Sequence, residues 1–285
     1  MDVLRGFPFG RKEPDRPETA ERPDELQERE PTTADGNKRL ADQHLAKGRL
    51  HYAITRYKKA ARIDDDSLHR TDLGDAYALA ELPINAVTQY RKALKRDPNS
   101  PEPHFSIAEV YARYGKWDVA IHEYSTAVDL SPGNAFYRYK LSGAYKIIGQ
   151  TDHAIAQMEY AVASKPADAF YHFELGLLYS EAGRMDEAIP QMEQAVSFSP
   201  GDDYYAARLG MFYARVGRYE DAAEAYLEAA RLNYKPIYAC LLGDTFIWRG
   251  DEERAEAAYE DAGDLDPYDM DFLERTRRFI HGGSW

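Results

Sequence analysis

The 285-residue chain is predicted to be all-α, an α-solenoid of antiparallel helix pairs stacked in chain order. Three observations carry this. A large aliphatic residue followed by a small one recurs at near-constant spacing through most of the sequence. Alanines and bulky residues then recur three and four apart, which places them on one helical stripe. Glycine and proline punctuate the pattern where helices have to stop.

The aliphatic-small pairs are Leu40-Ala41, Leu73-Gly74, Ile107-Ala108, Leu141-Ser142, Leu175-Gly176, Leu209-Gly210 and Leu242-Gly243, separated by steps of 33, 34, 34, 34, 34 and 33 residues. Three residues after each small residue stands a ring: His44, Tyr77, Tyr111, Tyr145, Tyr179, Tyr213 or Phe246. Four further on comes glycine, at Gly48, Gly115, Gly149, Gly183, Gly217 and Gly250, with Glu81 as the departure. These residues predict a first helix whose small residue lets a neighbour approach closely and whose glycine makes the turn that follows.

The second half of each unit carries Ala53, Ala86, Ala120, Ala154, Ala188, Ala222 or Ala255. A bulky residue follows by four (Tyr57, Tyr90, Tyr124, Met158, Met192, Tyr226, Tyr259), and another alanine by three more. Pro98, Pro132, Pro166, Pro200 and Pro267 end five units, while Asp65 and Tyr234 stand in the other two. A helical hairpin of this kind cannot bury its apolar face alone, so stacking completes the core.

The pattern resembles the tetratricopeptide repeat family over residues 34–269, with seven copies at 34–66, 67–100, 101–134, 135–168, 169–202, 203–235 and 236–269. The resemblance implies a right-handed superhelix whose first helices line a concave groove that receives a peptide or a helix. Family members that capture chaperone tails use a clamp of Lys, Asn and Arg in three successive repeats. Here the matching positions include Asp42, Asp72, Glu102 and Ser106, and only Lys38 fits, so a chaperone-tail adaptor is not expected.

Residues 1–33 differ in kind. They hold five prolines and nine acids against six bases, with almost nothing apolar between Glu13 and Glu30, and are expected to be disordered. Leu4, Phe7 and Phe9, beside Arg5, Arg11 and Lys12, read either as a short docking motif on this tail or as an unselected chain start. Residues 270–285 read as a capping helix with Phe272, Leu273, Thr276, Phe279 and Ile280 on one face, stopped by Gly282 and Gly283. It is expected to cover the end of the stack, with Arg275, Arg277 and Arg278 mostly on its other faces.

The formal net charge of −13 disfavours nucleic acid as a partner. No apolar run reaches the roughly 20 residues a spanning helix needs, and the start shows no signal peptide. A cytoplasmic location is expected. The single cysteine, Cys240, reads as a small buried residue. His104 and His172 hold matching places at the starts of first helices and read as structural. No zinc cluster, phosphate loop or nucleophile elbow is present, so neither catalysis nor a cofactor is expected. Asp64, Asp65 and Asp66 lack calcium-loop spacing and read as a solvated helix end.

Opposite the packing stripe, the first helices of the fourth to sixth repeats place Phe136, Tyr139, Lys146, Phe170, Phe173, Leu177, Tyr204 and Met211, with Arg208 and Arg215 nearby. These are the candidate partner-binding residues. The earlier repeats place acids in the groove, including Asp75 and Glu109. The expected function is a non-catalytic protein–protein interaction scaffold, a subunit or assembly factor of a larger complex. It would clasp a partner segment in the groove and make a second contact through the tail. Two rivals are a self-assembling homo-oligomer and a regulatory domain for a separate catalytic chain.

Overall fold

The computed structural model describes residues 31–283, and these form fifteen helices and no strand. The chain divides after Ala144 into two compact units, each taken by itself below. The first holds α1 (Ala34–Ala46), α2 (Leu50–Ile63), α3 (Ser67–Leu79), α4 (Pro83–Arg96), α5 (Pro101–Arg113), α6 (Trp117–Leu130) and most of α7 (Ala135–Ile147). The second holds the end of α7, then α8 (Thr151–Ser164), α9 (Ala169–Glu181), α10 (Met185–Phe198), α11 (Asp203–Arg215), α12 (Tyr219–Leu232), α13 (Pro236–Arg249), α14 (Glu252–Ala262) and α15 (Pro267–Ile280).

Helix starts follow local chemistry. Thr33, Asp66, Asp168, Asp202 and Asp266 cap first-position helices by accepting backbone N–H bonds. The turn between paired helices needs one left-handed residue, and Gly149 meets it at φ 76°. Glu81 takes the same conformation at φ 57°, where an L side chain is strained.

Within each pair the backbones come close because the small residue at the crossing admits a large ring. A Cβ added to Gly210 would lie 2.8 Å from the Tyr226 ring, and one added to Gly243 2.7 Å from that of Tyr259. Gly74 meets Tyr90 in the same way. The alanine stripes, such as Ala53 and Ala60 or Ala222 and Ala229, are completely buried.

A second bond locks many pairs. The hydroxyl of the second-helix tyrosine donates to a carboxylate fifteen residues earlier: Tyr57 to Asp42, Tyr90 to Asp75 (2.7 Å), Tyr124 to Glu109 and Tyr259 to Asp244 (2.6 Å). The groove acids Asp75 and Glu109 are therefore tied to the fold by these bonds. His104 bonds Glu123 at 2.7 Å and His172 bonds Gln191 at 2.8 Å, which gives both the structural part expected of them. Cys240 is buried.

The joint after α2 has no proline, and the joint after α12 has Tyr234 in the repeat's proline place with Pro236 opening α13; side chains hold both. Asp65 takes bonds from Arg70, on the following helix, and from Arg96 at the end of α4. Tyr234 donates to the Asp261 carbonyl at 2.7 Å, near the end of α14.

The last helix starts at Pro267 and lies against the first helices α11 and α13, whereas the sequence pattern was expected to set it over the end of the stack. Chemistry explains the placement. Thr276 reaches the Met211 sulfur at 4.0 Å, Phe279 packs 5.5 Å from Phe212, and Arg277 grips Asp244 with two bonds of 2.7 and 2.8 Å. Arg277 is thus used inside the fold.

Candidate functional site

The candidate binding residues divide between the two units. In the first, Phe136 is exposed and Tyr139 half-buried on α7, with ring centroids 6.4 Å apart. Phe105 on α5 backs them, 5.5 Å from Phe136 and stacked 4.7 Å from Tyr137. Lys140 sits 5.6 Å over the Phe136 ring and donates to Glu109 at 3.0 Å. This cation is matched by a carboxylate built into the fold.

In the second unit, Phe170 and Tyr204 are exposed and Leu177 is half-buried. Phe173 repeats the arrangement of Phe105, 5.7 Å from Tyr204 and stacked 4.8 Å from Tyr205. Its exposure is 6%, because the two tyrosine rings of the next repeat close over it. Arg208, at 1%, lies beneath Tyr204 with its guanidinium 5.8 Å from that ring, and burial pulls its pKa below the ordinary arginine value. Met211, at 0%, is covered by Thr276 of α15. The reading of these three as open groove residues is therefore corrected. A helical wheel gives the direction of a side chain, but not what later segment covers it.

Arg215 turns toward the last helix. It lies 4.4 Å over the Phe279 ring and donates to the carbonyls of Phe279 (3.1 Å) and Gly283 (3.0 Å). Lys146 is exposed and pairs with Glu181 at 2.6 Å. Between α9, α11 and the end of α15 opens a cavity of about 670 Å³, whose wall includes Lys146, Leu177, Glu181, Tyr204, Arg215 and Phe279. Sequence reasoning missed Glu181 and Phe279 as parts of this wall. Glu181 stands 35 residues after Lys146, close to the repeat length, which is a signal that could have found it. Leu4, Phe7 and Phe9 lie outside the described residues.

Nothing in this surface assembles a nucleophile, base and orienting group, the geometry that catalysis by side chains requires. Asp64, Asp66 and His69 bring ligand atoms within 4.8 Å of one another. Asp66 there caps α3, accepting from the His69 backbone at 2.7 Å and bonding its ring, so the cluster is accounted for as a helix start. No helix among the described residues is long and apolar enough to cross a membrane.

Tandem helical hairpins with glycine turns, tyrosine latches and a cavity on the first-helix face define an interaction-repeat protein. A TPR repeat family model matches residues 85–115, and a Tetratricopeptide repeat model matches 148–203 and 208–269. The chain belongs to the tetratricopeptide repeat family. Among solved structures it is similar to the MamA protein, at 26% identity and TM-score 0.52 over 59% of this chain and 92% of that one. It is similar to YrrB at 18% identity and TM-score 0.55, over 66% and 97% of the two chains. A tetratricopeptide repeat protein of Parabacteroides merdae matches at 16% identity and TM-score 0.55, over 87% and 99%. The last two likenesses show the fold. No curated protein sequence matches the chain.

Proposed function

We propose that this chain is a non-catalytic scaffold that binds a segment of another protein on the first-helix face of its second unit, as a subunit or assembly factor of a larger complex. The observation that carries this is the 670 Å³ cavity flanked by the exposed ring of Tyr204, with Phe170 exposed one repeat earlier. Exposed aromatic rings beside a concavity are where interface energy concentrates. Membership of the family supports the general part, since its repeats serve protein–protein interaction. Residues 1–33, with Leu4, Phe7 and Phe9, would add a second contact and raise avidity.

The test compares captured proteins from native extract for wild type, a Phe170→Ala/Tyr204→Ala double variant, and a Tyr160→Ala/Leu227→Ala variant on exposed second-helix positions. A partner captured by wild type and by the Tyr160→Ala/Leu227→Ala variant but lost by Phe170→Ala/Tyr204→Ala supports the reading. Equal capture by all three sinks it.

A further inference from the structure

We propose that the second-helix face of the first unit is a docking surface for the chain's own acidic segment, residues 13–30. This stands apart from the binding reading above, which concerns the first-helix face of the second unit.

The helices α2 and α4 carry eight cations and no acid, in a chain whose formal charge is −13. Six of them repeat in register: Lys58, Lys59 and Arg62 return 33 residues on as Arg91, Lys92 and Lys95. On each helix the three fall within about 100° around the axis, opposite the buried stripe of alanines and tyrosine. Arg62, Lys92 and Lys95 are exposed. The others are half-buried, with Lys58 lying 5.5 Å over the Tyr77 ring and Arg91 bonded to Tyr111 one repeat on.

The fold does not require this sign. In the second unit the places of Lys58 and Arg91 are taken by Glu159 and Glu193, which accept from the hydroxyls of Tyr179 at 2.6 Å and Tyr213 at 2.8 Å. An acid serves the repeat tyrosine there as a base does in the first unit. The basic ladder also stops after two repeats, since the third holds Ser125, Thr126 and Asp129 at the same three positions. The positive field is therefore local to α2 and α4.

Charge and tether together name the occupant. Residues 13–30 hold eight acids against three arginines. The described residues start at Pro31, whose carbonyl accepts from the Asn37 side-chain amide of α1 at 2.8 Å. A Cβ added to Gly36 would lie 2.8 Å from the Pro31 ring, so the chain is packed on α1, the hairpin partner of α2. Eighteen residues span up to about 60 Å when extended, and α2 is about 21 Å long, so the segment can lie across both basic helices. Exposed ion pairs are individually weak, but a tether raises the effective concentration to about the millimolar range. Docked there, the segment leaves the first-helix face of its unit open and delivers residues 1–12, with Leu4, Phe7 and Phe9, beside the stack.

The experiment is zero-length carbodiimide cross-linking of the full chain, read by mass spectrometry, in a mixture of isotope-labelled and unlabelled protein. Amide links from the acids of residues 13–30 to Lys59 and Lys92 are expected to exceed those to the exposed Lys116 and Lys165, and to join chains of the same label. Arg62→Glu/Lys95→Glu leaves both target lysines in place and should lower their yield about fivefold or more, as should about 1 M salt, which screens beyond about 3 Å. Mere nearness of a tether would not respond to either change. The salt arm uses the wild-type chain, so it stands whatever the melting curve of the variant shows. Even coupling to all four lysines, or yields indifferent to salt, would overturn the inference. Links between unlike labels would give the face to a second copy's segment and overturn it too. Absent links, with the chain sedimenting on phosphatidylserine vesicles, would overturn it in favour of an anionic membrane.

Discussion

Four second-helix tyrosines end on a carboxylate fifteen residues earlier in the chain, and Tyr226 does not. The matching position is Met211, and the Tyr226 hydroxyl is fully buried with no hydrogen-bond partner among the described residues. A hydrogen bond to a charged acceptor is worth roughly 1–3 kcal/mol net, whereas a buried polar atom without one is a cost. Tyr90→Phe is therefore expected to destabilise by about 1–2 kcal/mol and Tyr226→Phe to be neutral or stabilising, both read from urea unfolding. Equal losses would refute the distinction. Phe173→Ala is expected to cost about 3 kcal/mol, because a ring at 6% exposure leaves a cavity, while Tyr204→Ala should barely move the melting temperature. This contrast marks what the sequence could tell. The acid–tyrosine latches were not read from the sequence, although their constant spacing of fifteen was there to see; periodicity placed Phe170 and Tyr204 opposite the packing stripe, where both are exposed. The burial of Phe173, Arg208 and Met211 was not legible, because it depends on Tyr204, Tyr205 and α15, which arrive from later elements.

At the scale of the helix and its turn, repetition supplies internal controls. Glu81 does the work of glycine at φ 57°, and an L residue there is strained by about 1–2 kcal/mol, part of which glycine gives back as entropy. Glu81→Gly should stabilise by up to about 1 kcal/mol, and Gly149→Ala, which meets open space and suffers only the strain, should destabilise by a similar amount. Differential scanning calorimetry of the two variants checks the signs; the same sign for both would contradict the account. Pro190 sits inside α10, where it removes a backbone donor. Pro190→Ala should raise the melting temperature, and a fall would show that the ring has a packing role. The helix pairs and their turns were legible from Gly, Ala and Pro spacing. The position of α15 was not: four apolar residues and Thr276 on one face predict a docked helix, but Asp244 and Phe212 decide where it docks.

For the molecule as a whole, contacts in a repeat stack are local, so stability is nearly a sum over neighbours. A fragment of residues 135–283, holding four hairpins' worth of sequence and α15, is expected to fold alone, giving a helical circular dichroism spectrum and a cooperative melt. A fragment that stays unfolded would show that its stability is borrowed from residues 31–134.

The joint after α2 is built without proline, and the joint after α12 supplements Pro236 with a side-chain bond. Proline stiffens a joint with covalent bonds, indifferent to solvent. Asp65 and Tyr234 stiffen theirs with bonds that can be let go. The Asp65 carboxyl is held at about pH 2, first by its bond from Arg70 and then by Arg96, so its contribution is present above the usual carboxylate range near 3.8 and disappears as pH falls through about 2. Pulled from its ends in an optical trap, the chain should therefore yield at the Asp65 joint before the joints that contain proline. Acid should lower the force at the Asp65 joint and leave that at the Tyr234 joint unchanged. The Asp65 joint is a soft point whose stiffness protons can tune.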